Sequence, residues 1–247
     1  MHRFFVSPKC ISKRTVNLVG SVAHQIKNVL RMKPGRKIIV LDNTGNEYLV
    51  NLQRIAKTVV VGQIIETTVS QGEPMLRLSL YQGTLKAQRF EWVLQKGTEL
   101  GISEFIPVIC QRSILGDVES VDEKHARWER IIREAAEQCE RGNLPELRPA
   151  MMFSQACNRA GTESEMSWLA WEYAEDTGLR SVLSTIESTL QKASLFIGSE
   201  GGFTLDEVRL ADRYNISPIW LGKRILRAET ASIVAASILF YQFGELE

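Results

Sequence analysis

Leu195-Phe196-Ile197 runs into Gly198-Ser199-Glu200-Gly201-Gly202-Phe203, and Ile219-Trp220-Leu221 runs into Gly222-Lys223-Arg224-Ile225-Leu226-Arg227-Ala228-Glu229-Thr230. Each pair is a short apolar run that stops abruptly at glycine, the pattern of a buried strand delivering a loop at its carboxyl end. A residue without Cβ takes positive φ easily and lets a ligand lie against bare backbone. One such turn is ordinary punctuation. Two of them, with Glu200, Arg224, Arg227 and Glu229 among so few residues, describe the wall of a site. In open α/β sheets that wall lies outside the carboxyl ends of the strands.

The surrounding sequence agrees with such a sheet. Strands are expected over 76–82, 105–110, 167–172, 195–198 and 218–221, and helices over 89–100, 123–139, 179–190 and 204–214. Thr204-Leu205-Asp206-Glu207 has the form of a capping box. Strand and helix alternate, which predicts a parallel α/β sheet. The last helix, over 230–243, is apolar on most sides (Ala231, Ile233, Val234, Ala235, Ala236, Ile238, Leu239, Phe240). Such a helix is expected either deep in the fold or against a second subunit.

The two glycine segments also carry a resemblance. Ile-Gly-Ser-Glu-Gly-Gly-Phe (197–203) and Leu-Gly-Lys-Arg-Ile-Leu-Arg-Ala-Glu-Thr-Ala (221–231) resemble the paired signature of the RsmE-type ribosomal RNA uridine-N3 methyltransferases, a branch of the SPOUT superfamily. The first segment departs from the pattern at Ser199, where the family usually has Pro. Lys86, Gln95 to Gly101, Arg112-Ser113, Glu134, Gln138 and Arg141 also match family positions, and the resemblance covers almost the whole chain. It implies a C-terminal knotted, trefoil-type parallel-sheet methyltransferase domain over 73–247, preceded by a small PUA-like RNA-binding β-barrel over 1–72. It implies S-adenosylmethionine as cofactor and 16S ribosomal RNA of the small subunit as partner.

Charge distribution points to a polyanion independently. Residues 1–72 hold eleven Lys or Arg against three acids (Asp42, Glu47, Glu66), about +8, whereas the remainder is about −7. Before Asp42 there is no acid. A basic segment on an otherwise acidic chain is the electrostatic footprint expected for phosphate binding. A helix capped by Ser21 and running to Arg31 would turn Val22, Ile26, Val29 and Leu30 inward and expose His24, Lys27, Asn28 and Arg31 as a stripe. Arg3 and Arg141 complete the expected RNA contacts; Arg141, at a helix end beside Gly142-Asn143, could reach a phosphate, although a helix-terminal cation is the ordinary explanation. β-rich patterning over 37–65 makes this a small β domain, and Gln71-Gly72-Glu73-Pro74 reads as the linker after it.

Several classes are excluded. The phosphate-loop and dinucleotide glycine motifs are missing, Ser199 is not inside a nucleophile elbow, and no histidine lies beyond His125. Cys10, Cys110, Cys139 and Cys157 lie far apart with no metal-ligand or disulfide spacing, so no metal is expected. No apolar run has membrane-spanning length, and residues 1–5 lack a secretory pattern, so the expected location is the cytoplasm.

Methyl transfer suits these residues because the cofactor brings the reactive group and the protein binds and orients. Ile197, Gly198, Gly201, Gly202, Leu221 and Gly222 are expected to meet the cofactor, with Ile225 and Leu226 as an apolar slot. Uracil N3 must lose a proton before it attacks, and the resulting negative charge must be held. Glu200 or Glu229 would take the proton and Arg227 or Arg224 would hold the charge; Glu229 reads equally well as an ion pair that fixes its loop. The competing readings are a non-catalytic RNA-binding assembly factor and a methyltransferase of another base. A homodimer built on the last helix is expected, since an uncovered apolar helix leaves a large surface patch.

Overall fold

The structure, a computed structural model, describes residues 1–113, 118–186 and 190–246, except the side chains of Ala87, Ser120 and Asp122. The chain forms two compact units. The first comprises Met1–Glu73 and Arg133–Leu144, and the second Pro74–Ile132 and Pro145–Glu247. The division falls inside the expected linker, between Glu73 and Pro74. Residues 133–144 group with the first unit, so the expected continuous domain over 73–247 is interrupted.

In the first unit, β1 (Arg3–Phe5), β2 (Thr15–Val19), β3 (Lys37–Leu41), β4 (Asn46–Ile55) and β5 (Val59–Val69) form one sheet in the order β1-β3-β4-β5-β2. Only the β1–β3 pair is parallel. Alternation in β2 turns Val16 and Leu18 inward, where they meet Phe4, Ile26, Ile38, Val40, Val50, Leu52 and Val60. After β2 the helix differs from expectation. α1 (Gly20–His24) is capped at Val19 without a side-chain bond, and it passes at once into a π-helical turn, Gln25–Val29. The wider turn breaks the 3.6-residue repeat on which the expected stripe depended. Val29 is consequently exposed, whereas Ile26 is buried.

Arg133–Leu144 is held to this unit by groups that no local pattern reveals. The Phe5 amide donates to Glu137 Oε1 (3.1 Å) and the Phe5 carbonyl accepts from Arg133 Nη1 (3.2 Å). Burial pushes the Glu137 carboxyl up, opposed by that Phe5 amide. Arg141, only 3% exposed, donates to both oxygens of Glu73 (3.3 and 2.8 Å), and Glu73 Oε1 also accepts from the amides of Gly142 and Asn143 (both 3.0 Å). Removing one partner of such a buried pair costs about 3 kcal/mol or more, because the other charge is left without compensation.

The second unit is a parallel sheet covered on both faces. Its elements are β6 (Arg77–Gly83), α2 (Ala87–Leu100), β7 (Glu104–Ile109), α3 (Val118–Asp122), α4 (His125–Gln138, whose end belongs to the first unit), β8 (Glu146–Leu147), β9 (Met151–Met152), α5 (Phe153–Glu163), β10 (Met166–Ala170), α6 (Leu179–Leu183), β11 (Lys192–Ile197), α7 (Leu205–Asp212), β12 (Ile216–Ile219) and α8 (Ala228–Gln242). The expected helix over 179–190 is shorter, since α6 ends at Leu183 and residues 184–186 form turns; residues 187–189 lie outside the described residues. The strand order is β12-β10-β11-β6-β7-β8, with β9 also on β7, and every pair is parallel. Period-2 alternation divides the core. Leu78, Leu80, Phe105, Trp168, Leu195 and Ile197 pack with α2 and α8 residues on one face. Tyr81, Ile106, Val108, Leu169 and Phe196 pack with α5 and α7 residues on the other. Two buried faces explain why these strands read as unbroken apolar runs.

Helix α5 escaped the sequence reading although Phe153, Ala156, Cys157 and Ala160 recur at helical spacing and are all buried. The Thr204 box is formed as expected: Thr204 Oγ1 accepts from the Glu207 amide (3.2 Å) and Glu207 Oε2 from the Thr204 amide (2.9 Å). α8 buries one face only, through Ala231, Ser232, Ala235, Ala236, Leu239 and Phe240, and leaves Ile238 (39%) and Tyr241 (72%) exposed. Burial on most sides is thus not met within one chain.

At the amino ends of the strands, Glu104 gathers Arg148, Arg159 and Ser79 around its carboxylate. Burial alone would raise this carboxyl, yet hydrogen bonds from Arg159, Arg148 and Ser79 outweigh it and hold the group below its ordinary value of 4.5. A depressed carboxyl contributes stability that is complete above the unfolded value and is lost as pH falls through the folded one. The stability difference between wild type and Glu104→Gln, measured by urea unfolding, should therefore be largest near neutrality and shrink as pH is lowered below about 4.5.

Candidate active site

All strands of the second sheet run the same way, so the loops after β6, β7, β10, β11 and β12 leave from one edge. β6 and β11 are neighbours in the middle, with β7 on one side and β10 on the other. Here backbone approaches backbone. A Cβ on Gly83 would overlap the Ser199 amide nitrogen, and one on Gly198 would stand 3.0 Å from the Gly202 carbonyl carbon. The contact is reinforced by a buried polar chain: Gln82 Nε2 donates to the carbonyls of Gly83 (3.1 Å) and Gly198 (3.3 Å), and Ser232 of α8 donates to Gln82 Oε1 and to the Ala228 carbonyl (2.9 Å). Gln82 and Ser232 are fully buried.

Loop 198–203 is fastened on its other side by the turn after β7. Ser199 Oγ donates to the Arg112 carbonyl (3.0 Å), and Arg112 Nη1 donates to the Gly201 carbonyl (3.0 Å). The hydroxyl at 199 thus ties down the loop. Glu207 joins the same turn by accepting from the Gln111 amide (2.8 Å). Gly202 has φ +66° and would place a Cβ 3.1 Å from Glu172 Oε1, which brings in the loop after β10. The loop after β12 is joined to it as well, since Trp171 N–H donates to the Ile219 carbonyl (3.0 Å) and Leu179 N–H to the Trp220 carbonyl (3.1 Å).

Two carboxylates from separate segments meet at this edge. Glu200 Oε1 accepts from the Lys86 amide (3.1 Å) at the start of α2, and Glu229 lies in the first turn of α8. Helix amino ends favour negative charge. Arg89, on the first turn of α2, stands between them, its Nη1 3.7 Å from Glu200 Oε1 and its Nε 3.8 Å from Glu229 Oε1. The second oxygen of each carboxylate is buried and has no hydrogen-bond partner among the described residues. Buried acceptors without donors are costly, and they mark where a donor from a ligand would be received.

The other expected site residues divide. Ile197 is buried in the core, so only its backbone can serve a ligand. Leu221 and Leu226 are partly buried against the same core, and Gly222 has φ +111° with no atom within 4 Å of a would-be Cβ. Ile225 differs from the expected apolar slot, being 88% exposed. Arg224 and Arg227 are exposed, and Arg227 caps α8, its carbonyl accepting from the Ala231 amide (2.8 Å). In the first unit, His24, Asn28 and Arg31 are exposed and Lys27 is half-buried, with Arg31 at φ +48°. Arg3 and Arg141 do not face solvent. Arg3 is 9% exposed, paired with Glu47 and within 3.8 Å of Glu140, and Arg141 is committed to Glu73. The first unit as folded carries thirteen Lys or Arg against seven acids, +6.

Gln82, Gly83, Arg89 and Ser232 escaped the sequence reading. Gly83 had a weaker signal than Gly198 and Gly222, since it follows an expected strand but comes directly after Gln82 and not after an apolar run. The other three are ordinary polar residues on a strand end or a helix turn. Among the described residues no helix is long and apolar enough to cross a membrane, and no cluster of metal-ligating side chains occurs.

Glycine loops, paired carboxylates and a parallel sheet define a class, that of the RNA methyltransferases: residues 72–240 match the family model described as an RNA methyltransferase domain, and residues 20–65 the one described as an RNA methyltransferase PUA domain. Ribosomal RNA small subunit methyltransferase E of Bacillus subtilis (strain 168) is 35% identical over 98% of this chain and 97% of its own length. The chain belongs to the ribosomal RNA small subunit methyltransferase E family. A structure of that methyltransferase from Neisseria gonorrhoeae bound to S-adenosyl methionine is 28% identical with a TM-score of 0.87, covering 98% of this chain and 97% of that one. A putative methyltransferase of Legionella pneumophila, in complex with the same cofactor, is 29% identical with a TM-score of 0.86, covering 97% and 96%.

The glycines are now separable by test. A Cβ on Gly201 would press at 2.7 Å on the Arg112 Cβ, whereas Gly222 offers space but an unfavourable φ. Gly222→Ala should fold with a loss of about 1–3 kcal/mol in urea unfolding. Gly201→Ala should be less destabilising in an Arg112→Gly background than in wild type; equal losses in the two backgrounds would remove Arg112 as the obstacle.

Proposed function

We propose that this protein transfers a methyl group from S-adenosylmethionine to N3 of a uridine in 16S ribosomal RNA of the small ribosomal subunit. The observation that carries the reading is the strand-end edge itself, where bare glycine backbone and the two half-satisfied carboxylates face the same loops. These residues fit the cofactor. Gly222 leaves room against its backbone, and the free Glu200 and Glu229 oxygens can receive donors. The backbones of Ile197, Gly198, Gly201, Gly202, Leu221 and Gly222 and the Leu226 side chain would hold it. When bound, S-adenosylmethionine supplies an electrophilic methyl group.

The chain's own residues handle the proton and the charge. One of Glu200 and Glu229 accepts the N3 proton as the uracil becomes a nucleophile. Arg227, exposed at the amino end of α8, holds the negative charge that develops on the uracil oxygens, with Arg224 nearby in sequence. RNA contacts fall to His24, Lys27, Asn28 and Arg31, because Arg3 and Arg141 are occupied by Glu47 and Glu73. The cell compartment is the cytoplasm, where the substrate is made.

Two further parts belong to the same reading: a knotted C-terminal domain and a small PUA-like barrel before it. The assembly is a homodimer through α8, whose Ile238 and Tyr241 remain uncovered in one chain. Sedimentation should then give twice the mass of one chain.

The decisive measurement is methylation of small ribosomal subunits lacking the modification, read by mass spectrometry of nucleosides, beside calorimetric titration with S-adenosylmethionine. One N3-methyluridine per subunit is expected. Cofactor binding with a different methylated base would change the substrate, and no cofactor binding would leave an RNA-binding assembly factor. Reversing charge at Lys27 and Arg31 should weaken RNA binding and lower the salt slope by roughly 0.9 for each phosphate no longer neutralised, with cofactor affinity unchanged.

A further inference from the structure

We propose that Arg89 is a positioning residue that clamps Glu200 and Glu229 and so keeps loop 198–202 and the first turn of α8 in their cofactor-binding arrangement. This rests on the cofactor reading of the site. Glu200 and Glu229 come from different segments, yet both present an oxygen to one guanidinium, at 3.7 and 3.8 Å. Their side chains are 19% and 15% exposed, so the like charges are only partly screened by water. Besides Arg89, Glu200 accepts from the Lys86 amide, and the Oε2 atom of each carboxylate is buried without a partner among the described residues.

Arg89 is suited to the task by shape as well as charge. Nη1 and Nε belong to one rigid planar fork and serve two carboxylates in different directions, which a single ammonium does not reproduce. Its base is fixed because α2 packs on α8, with Phe90, Val93 and Leu94 buried beside it in sequence. The clamp therefore ties the start of α2 to the loop after β11 and to the first turn of α8. Arg89 itself is 42% exposed, so its replacement leaves no core cavity.

The test is calorimetric titration of S-adenosylmethionine into wild type, Arg89→Ala, Arg89→Lys, Glu229→Gln and the double variant Arg89→Ala/Glu229→Gln, with thermal unfolding as a check on folding. Arg89→Ala should bind roughly tenfold more weakly, the scale of coupling between contacting charged residues. Arg89→Lys should fall between, and serves as the test variant should Arg89→Ala not fold. Glu229→Gln should recover most of the loss when added to Arg89→Ala, because one of the repelling charges is gone. Turnover should show a raised KM for the cofactor with kcat largely retained at saturation. Unchanged affinity in a folded Arg89→Ala or Arg89→Lys protein overturns the proposal, and so does an additive double variant, which would mean that Arg89 meets the ligand itself. Failure of the wild type to bind would instead strike the methyltransferase reading.

Discussion

The site depends on one backbone contact, the meeting of two strand ends at Gly83 and Gly198-Ser199. No side chain fits there, since a Cβ on Gly83 would overlap the Ser199 amide. Because β6 and β11 are paired neighbours in a parallel sheet, their following loops are forced to diverge from the same point. Glycine lets them stay together for one more residue, and Gln82 with Ser232 supplies the hydrogen bonds that this close packing needs. The consequence is a ledge of bare backbone, to which the loop after β11 brings Glu200 and the first turns of α2 and α8 bring Arg89 and Glu229.

The glycine edge holds two buried carboxylate oxygens, Oε2 of Glu200 and Oε2 of Glu229, that lack a hydrogen-bond partner among the described residues. At the opposite ends of the strands, Glu104 is surrounded by Arg148, Arg159 and Ser79 and is held ionised by them. At the glycine edge, Glu200 and Glu229 each keep a buried oxygen without a donor among the described residues. Stability and function are thus separated along the strand direction. Buried thiols add nothing reactive: desolvation, reinforced by Glu207, pushes Cys157 up to about 12 and Cys110 further still.

Charge in the first unit also divides into two kinds. Formal counting treats Arg3, Lys27, Arg31 and Arg141 alike, but a buried arginine is spent on its partner. Arg3 and Arg141 hold Glu47, Glu140 and Glu73 and thereby attach residues 133–144 to the sheet. The exposed basic groups of the helical turn are the ones left to a polyanion. The π-turn changes their spacing, and it leaves His24, Asn28 and Arg31 exposed with Lys27 half-buried.

Local pattern alone determined the parallel α/β architecture, the glycine loops, the Thr204 cap and the basic character of the first unit. Each of these depends on residues close in sequence, through periodicity, Cβ sterics or summed charge. Tertiary structure alone decided that Arg141 belongs to Glu73 and not to solvent, that Ile225 points outward, that Ser199 ties its loop to Arg112, and that Arg89 lies between Glu200 and Glu229. Those pairings join residues 68, 87 and up to 140 positions apart. A polar side chain has the same local signature whether it is solvated or committed to a distant partner, so only the packing of whole elements distinguishes the two.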